Sequence, residues 1–161
     1  MKVLIVSDTH RQNENFMQVV DQEEPIDLLI HCGDIEGSEY LISQKAGCPV
    51  YMVAGNNDFF SDLPREKEFQ IGKYKVWLVH GNTYGVSMGN QELKQEARDR
   101  GVDIVMYGHT HKPVVDWDKD VIAINPGSLT YPRQVGRRPS YVVMTIEDGI
   151  SQDVSFEIRY L

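Results

Sequence analysis

The chain has 161 residues, of which 41% are hydrophobic and 25% charged, a balance that predicts one globular domain spanning 1–161. The formal net charge of −8 argues against broad nucleic-acid binding and against adhesion to an anionic membrane. The N-terminal apolar run VLIV at 3–6 is too short for a signal peptide or a membrane span, so we expect a soluble, cytoplasmic protein.

Short apolar, β-branched runs recur along the chain, and each ends in polar residues. Strands are predicted within 2–8, 26–34, 49–58, 74–82, 102–111, 120–128, 140–148 and 153–161. Helices are predicted over Asn13–Asp21, Gly37–Gln44 and Asn90–Arg100, the last with Asn90 as N-cap. Strands alternate with helices at first and follow one another at the end, which predicts an α/β domain with a mixed sheet.

Polar side chains with metal-binding chemistry follow several of these strands directly. They are Asp8 and His10, Asp34, Asn56 to Asp58, His80, and His109 with His111. In an open α/β sheet, ligands bind beyond the carboxyl ends of strands, so these residues are expected to share one crevice. Two pairs of these residues are spaced i, i+2: Asp8 with His10, and His109 with His111. In an extended chain this spacing places both side chains of a pair on the same side, so each pair could bind one metal ion or two neighbouring ions. Oxygen and imidazole ligands without thiolate suit Mn, Fe, Zn, Co or Ni.

The motifs themselves carry a family resemblance. D-x-H at 8–10, G-D at 33–34, G-N-x-D at 55–58, H-G at 80–81 and G-H-T-H at 108–111 occur in this order. Together they resemble the motif blocks of the calcineurin-like metallophosphoesterase family. NPGS at 125–128, with PR at 132–133, further resembles its small single-domain bacterial and archaeal phosphodiesterases. The resemblance implies two facing mixed β-sheets flanked by helices, a four-layer α/β/β/α sandwich.

The resemblance also implies a binuclear site. Asp8, His10 and His111 match the ligands of a first divalent metal ion; Asn56, His80 and His109 match those of a second; Asp34 matches the bridging carboxylate. Manganese is the first expectation, with Ni, Zn, Fe or Co as alternatives. The implied reaction is hydrolysis of a small organic phosphate ester, foremost a phosphodiester, by in-line attack of a metal-bridging hydroxide. Asp34, Asn57 and His109 are the predicted catalytic residues.

Two residues are predicted to contact the substrate. Asn57 stands where many members of the family have a histidine that donates a proton or contacts phosphate. An amide cannot donate a catalytic proton, but it can hydrogen-bond a phosphate oxygen. Arg133 is the other candidate, because a guanidinium suits bidentate phosphate binding; a solvated or interface arginine is the alternative and the favoured interpretation. Substrate choice is assigned to the loops 59–70 and 128–138.

Several of these residues could also have a purely structural role. His109 and His111 could lie in a solvated turn, Asp34 could cap the following helix, and His80 could be a core histidine. A core position or a supporting contact to the site is predicted for His31 and Asp58, a turn role for Ser128, and buried free thiols for Cys32 and Cys48.

A second class of function is a metal-binding, protein-interaction scaffold with little or no catalysis. The same fold resembles a eukaryotic retromer subunit that acts mainly as a scaffold and lacks part of the histidine set. Because this chain keeps every ligand position, the enzyme hypothesis is favoured. A homo-oligomer is compatible with either function.

Overall fold

A computed structural model describes residues 1–161, with three α-helices and ten strands. The helices are α1 (Glu14–Glu23), α2 (Glu39–Ala46) and α3 (Gln91–Arg100). The strands are β1 (Lys2–Val6), β2 (Leu28–His31), β3 (Val50–Met52), β4 (Glu66–Ile71), β5 (Tyr74–Val79), β6 (Ile104–Met106), β7 (Pro113–Trp117), β8 (Ile122–Pro126), β9 (Ser140–Ile146) and β10 (Val154–Tyr160).

The strands form two five-stranded sheets with the orders β10-β9-β1-β2-β3 and β4-β5-β6-β8-β7. In the first sheet β1, β2 and β3 are parallel, and in the second β5, β6 and β8 are parallel. Antiparallel strands complete both sheets: β9 and β10 in the first, β4 and β7 in the second. The mixed α/β organisation expected from the sequence is therefore confirmed, with two sheets rather than one.

Side-chain alternation along the central strands builds the layers. Val3 and Ile5 of β1 point into a core between the two sheets, where they meet Val76 and Leu78 of β5. The intervening Leu4 packs on the opposite face, in a second core with α1 and α2. A third core covers the outer face of the other sheet under α3, with Trp77 at its centre. The order of layers is helix, sheet, sheet, helix, as the family resemblance implied.

Two strands were not predicted from the sequence, and both lie at a sheet edge. Strand β4 reads EKEFQI, and β7 begins with Pro113 and carries Asp116. An edge strand with one solvent-exposed side tolerates charges and proline, so it lacks the apolar run that marks a central strand. The segment 59–70, predicted to be a loop, therefore contains most of β4, which begins at Glu66.

The helices begin within two residues of their predicted starts. Asn90 does occupy the N-cap of α3, but its side chain makes no capping hydrogen bond and donates instead to Asp116, 3.0 Å away. No helix in the chain is both long and apolar enough to cross a membrane. Cys32 is buried and Cys48 only partly so, and both are free thiols.

Candidate metal centre

The parallel strands of both sheets end at one edge of the sandwich, and the predicted ligands lie there. Asp8 and His10 follow β1, Asp34 follows β2, and Asn56 follows β3. His80 follows β5 of the other sheet, and His109 and His111 follow β6. The side chains therefore converge from two sheets on one crevice.

A first group of side chains surrounds Asp8. Its Oδ1 lies 3.0 Å from Nε2 of His111 and 3.7 Å from Nε2 of His10. The same nitrogen of His10 lies 3.8 Å from Oδ2 of Asp34. One ligand atom from each of these residues lies within 4.8 Å of all the others, a spacing that a single metal ion can bridge.

A second group adjoins it. Asn56 Oδ1 lies 3.0 Å from Nε2 of His80 and 2.9 Å from Nδ1 of His109. His80 Nε2 also lies 3.4 Å from Oδ2 of Asp34. The same carboxylate oxygen of Asp34 therefore faces both groups, which is the position of a bridging ligand.

Backbone carbonyls hold two of the histidine rings. Nδ1 of His80 lies 2.8 Å from the carbonyl oxygen of Cys32, and Nδ1 of His111 lies 2.8 Å from that of Tyr131. Because a carbonyl only accepts, Nδ1 carries the hydrogen, and in the neutral ring Nε2 directs its lone pair into the crevice. Metal-binding histidines are commonly oriented in this way.

The buried carboxylate of Asp8 shows whether these donors fit a cation. Its Oδ2 accepts hydrogen bonds from Ser7 Oγ at 2.5 Å and from His109 N at 3.1 Å. Its Oδ1 is buried without a hydrogen-bond donor and faces the His111 lone pair. Two electron-rich atoms in contact repel each other unless a positive charge lies between them. The donor set therefore fits a divalent cation.

The charges in the crevice favour the same conclusion. Burial alone would raise the pKa of Asp34, but the hydrogen bond and charge of His80 and the hydrogen bonds from Asn57 outweigh it and hold the pKa below its usual range. Burial would lower the pKa of His80, but its hydrogen bond to Asp34 and the charges of Asp8 and Asp34 raise it. A proton and a metal ion therefore compete for His80, and acid should weaken metal binding.

The backbone at five of the seven proposed ligands is left-handed rather than extended. The φ angles are +54° at Asp8, +45° at His10, +57° at Asp34, +67° at His109 and +58° at His111. The proposed i, i+2 alternation of an extended strand is therefore wrong for both pairs, and His109 and His111 enter different groups. Non-glycine residues in this region cost about 1 kcal/mol or more each, and such conformations concentrate at functional sites.

Gly33 permits the close approach of the two sheets at the crevice. Its φ is +107°, and a Cβ added there would lie 2.6 Å from Nδ1 of His80 and 2.9 Å from the backbone nitrogen of Gly55. A side chain at this position would therefore displace His80, so the glycine of the G-D motif is a steric requirement.

Asp58 fixes the loop that carries Asp34. Its Oδ2 accepts from the backbone nitrogens of Asp34 at 2.8 Å and Gly55 at 2.7 Å, and its Oδ1 accepts from those of Ile35 at 2.9 Å and Glu36 at 2.6 Å. The side chain is only 3% exposed. Asp58 thus supports the site without reaching it. Asp34 itself lies well before α2, whose N-cap is Ser38, so it is not a helix cap.

Ser128 of the NPGS segment supports Asp8 from behind. Its buried hydroxyl donates to the backbone oxygen of Asp8 at 2.8 Å and accepts from the backbone nitrogens of Thr130 and Tyr131. The turn role predicted for Ser128 is confirmed, and the same turn presents the Tyr131 carbonyl to His111.

The sequence analysis did not identify Glu36, whose carboxylate contacts His10. Glu36 Oε1 lies 2.7 Å from His10 Nδ1, so this ring too is oriented with Nε2 toward the crevice. Its φ of +57° shows that the backbone is bent to present the side chain. Proximity to Asp34 in the sequence is the only signal that could have identified it, and that signal is weak.

We expect Glu36→Ala to weaken metal binding by about 10- to 100-fold, because contacts that orient a liganding histidine contribute that much to affinity. Isothermal titration of chelator-stripped protein with Mn²⁺ measures the effect. Glu39→Ala is the matched control, since Glu39 lies three residues further on, at the start of α2, and its carboxylate bonds only to Ser61. Equal affinities in both variants and the wild type would contradict the role of Glu36.

His31 is fully buried behind the site, as the sequence analysis predicted. Its Nδ1 accepts from the backbone nitrogen of Gly33 at 3.2 Å, and its Nε2 lies 3.1 Å from Thr9 Oγ1. Protonation of Nδ1 would place its hydrogen against the N–H of Gly33, and the hydrogen bond from Gly33 would be lost. Burial lowers the pKa of His31 from 6.5 to about 4.

This lowered pKa predicts acid sensitivity. The unfolded chain binds a proton at His31 below pH 6.5 and the folded chain only near pH 4, so the stability present above pH 6.5 is lost as the pH falls between these values. His31→Asn, whose amide oxygen can accept from Gly33, should lose about 2 kcal/mol less unfolding free energy than the wild type between pH 7 and pH 5. Urea unfolding in the presence of a chelator, at pH 7 and at pH 5, measures the free energy of unfolding of both proteins. Identical pH slopes would refute the assignment.

The two predicted substrate contacts lie in different surroundings. Asn57 donates from its backbone nitrogen to Asp34 Oδ1 at 2.9 Å and from Nδ2 to Asp34 Oδ2 at 2.8 Å, so its amide holds the shared carboxylate. The Arg133 side chain is exposed and lines a neighbouring cleft of about 490 Å³ beside Thr110. Its backbone nitrogen donates to the carbonyl of His111. The structure therefore brings Asn57, but not the Arg133 side chain, against the proposed ligands.

The sequence of the chain matches a known protein family. Residues 1–149 match the family model of the calcineurin-like phosphoesterase superfamily domain. The chain belongs to the calcineurin-like phosphoesterase superfamily. A probable metallophosphoesterase of Methanocaldococcus jannaschii is 36% identical over 136 residues, covering 83% of this chain and 70% of the relative. A phosphodiesterase of the same organism is 30% identical over 145 residues, covering 79% of this chain and 83% of that protein.

Two solved structures have the same fold as this chain. A predicted phosphoesterase of Streptococcus pneumoniae superposes with a TM-score of 0.81 at 25% identity, covering 99% of this chain and 88% of the other. A vacuolar protein sorting 29 of Entamoeba histolytica, solved with Zn²⁺, superposes with a TM-score of 0.78 at 23% identity, covering 99% of both chains. Calcineurin-like phosphoesterases are metal-dependent, and the crevice holds the Asp and His cluster that such chemistry requires.

Proposed function

We propose that the chain is a metal-dependent phosphodiesterase that uses two divalent ions. The observation that carries this proposal is the pair of ligand groups that share the Asp34 carboxylate. Asp8, His10 and His111 would hold one ion, Asn56, His80 and His109 the other, and Asp34 would bridge. Two ions bound there would supply a nucleophile from water at neutral pH and would stabilise charge on the phosphate.

The chain's own residues would prepare this chemistry by fixing positions and charges. Asn57 holds both oxygens of Asp34, and Asp58 holds the loop behind it, so the bridging carboxylate is preorganised. His109 is only partly buried, and burial together with the charge of His80 lowers the pKa of His109. A neutral His109 is thereby available as a ligand and as a hydrogen-bonding group beside the substrate.

The surroundings favour a diester over a monoester. A monoester dianion would gain from additional cations close to the reacting phosphate, but the exposed Arg133 side chain lines the neighbouring cleft beside Thr110. Arg11 is exposed, and its Nε donates to the carbonyl of Glu36, 3.1 Å away. A diester carries one charge less and depends less on such contacts. The similarity to a protein of Methanocaldococcus jannaschii that is named a phosphodiesterase also favours a diester substrate.

Hydrolysis of bis-p-nitrophenyl phosphate by chelator-stripped protein, titrated separately with Mn²⁺, Ni²⁺, Co²⁺ and Zn²⁺, tests the proposal. We expect activity only with added metal, highest with Mn²⁺, and a higher kcat/KM for this diester than for p-nitrophenyl phosphate. A higher kcat/KM for the monoester would overturn the diester assignment, and no turnover with any metal would overturn the enzyme assignment.

A protein-interaction scaffold is the second candidate. The likeness to vacuolar protein sorting 29 favours it, although at 23% identity that likeness establishes only the fold. Folded protein that binds Mn²⁺ in a titration yet hydrolyses neither ester would support the scaffold.

A further inference from the structure

A cleft of about 380 Å³ opens beside the proposed metal centre, within the range of small-molecule sites. Asn57 and Glu36 line it, and these residues contact Asp34 and His10 respectively. An ester whose phosphate lies at the ligand groups would therefore have its organic part within reach of this cleft. The other residues that line the cleft would then determine which organic group of the ester can bind there.

Two adjacent phenylalanines form the outer wall of the cleft. Phe59 is 75% exposed and Phe60 is fully exposed. Consecutive solvent-exposed aromatic rings that border a crevice are characteristic of a binding surface, whereas single exposed apolar residues are common.

The loop that carries these rings is anchored at both ends. Asp58, directly before Phe59, is held by its hydrogen bonds to the Asp34 loop. On the other side, Ser61 Oγ donates to Glu39 Oε1 at 3.0 Å and accepts from the backbone nitrogen of Leu63 at 3.2 Å. The rings are thus presented to solvent by a fixed backbone, which is what a stacking platform requires.

The polar wall of the cleft limits what can stack there. Glu36 and Glu39 both line it, together with a single guanidinium from Arg11. Carboxylates disfavour a second phosphate at this position and accept hydrogen bonds from N–H groups. A planar aromatic ring could stack on the phenylalanines, and N–H donors at its edge could hydrogen-bond to the carboxylates. Nucleobases combine these two features.

We propose that Phe59 and Phe60 bind a nucleobase, so that the substrate is a nucleoside phosphodiester. This inference rests on the proposed phosphodiesterase function, because it assumes that the phosphate binds at the adjacent ligand groups. Base-on-aromatic stacking typically strengthens binding by about 10- to 100-fold.

Isothermal titration of Mn²⁺-loaded protein with adenosine 5′-monophosphate and with ribose 5-phosphate tests the inference, since ribose 5-phosphate carries a hydroxyl where the nucleotide carries its base. Wild type should bind the nucleotide about 10- to 100-fold more tightly. In the Phe59→Ala/Phe60→Ala double variant the two affinities should agree within about 3-fold. Ile150→Ala is the control, because Ile150 is equally exposed but lies in the β9–β10 turn, away from the cleft, and should keep the preference.

Equal affinities in the wild type, or a preference that survives loss of both phenylalanines, would overturn the inference. Titration with phenyl phosphate tests whether the cleft prefers a nucleobase to a simple aryl group. If phenyl phosphate bound as tightly as the nucleotide, the assignment of a nucleobase would be overturned. Hydrolysis of bis-p-nitrophenyl phosphate, measured separately, reports on the phosphodiesterase function alone, so the two proposals fail in different experiments.

Discussion

Asp34→Asn should reduce kcat/KM for bis-p-nitrophenyl phosphate by about 1000-fold or more at saturating Mn²⁺. Asp34 is the one carboxylate that faces both ligand groups, with Oδ2 at 3.8 Å from His10 and 3.4 Å from His80. An amide of the same shape keeps an oxygen but loses the charge that would hold two cations together. Metal-based stabilisation of the transition state amounts to several kcal/mol, and about 4 kcal/mol corresponds to this factor.

The measurement needs a control for folding and one for charge. The unfolding midpoint in chelator should show that the Asp34→Asn chain is folded, because an amide oxygen can still accept from the Asn57 backbone. Asp148→Asn removes an equal charge from an exposed turn and should leave kcat/KM within about 2-fold. Activity of Asp34→Asn within 10-fold of the wild type would show that this carboxylate does not bridge catalytic ions.

Asp58→Ala should lower the free energy of unfolding by at least about 4 kcal/mol in the absence of metal. The substitution leaves the backbone N–H groups of Asp34, Ile35, Glu36 and Gly55 without their acceptor in a buried loop. Each buried donor left unpaired costs about 1–3 kcal/mol. Chemical denaturation followed by circular dichroism measures the loss.

Asp58→Asn gives a graded test of the same role. The amide keeps one oxygen, which can serve two of the N–H groups, but its NH₂ faces the other two, so we expect an intermediate loss of stability. Asp62→Ala removes an exposed carboxylate from the same loop and should change stability by less than about 0.5 kcal/mol. If Asp58→Asn were as stable as the wild type, the hydrogen bonds of Asp58 would not account for the order of the Asp34 loop.

The strands were predictable from the sequence wherever they are central. The run KVLIV became β1 because both of its faces are buried, one between the sheets and one under α1. The edge strands β4 and β7 were not predictable, because one-sided burial leaves no continuous apolar signal. That the apolar runs divide between two sheets depends on long-range pairing, such as β1 with β9, and only the family resemblance indicated it.

That the proposed ligands lie at one edge of the sandwich was predictable, because each follows a strand that the sequence marks clearly. How they are held was not predictable. The left-handed turns at Asp8 and His111 depend on hydrogen bonds from distant segments, such as Ser128 with the backbone of Asp8. The Tyr131 and Cys32 carbonyls that orient two histidines have no side-chain signature at all.

The division of the ligands between two sheets has a consequence for the order of folding events. The group around Asp8 takes His111 from the second sheet, and the group around His80 takes Asn56 and Asp34 from the first. Neither sheet alone holds a full set of the proposed ligands. High-affinity binding of metal by this set would therefore follow docking of the sheets, a late step in a fold rich in non-local contacts. Once acquired, the ions would tie the two sheets together, and amide exchange at the ends of β1 and β6 should slow in concert.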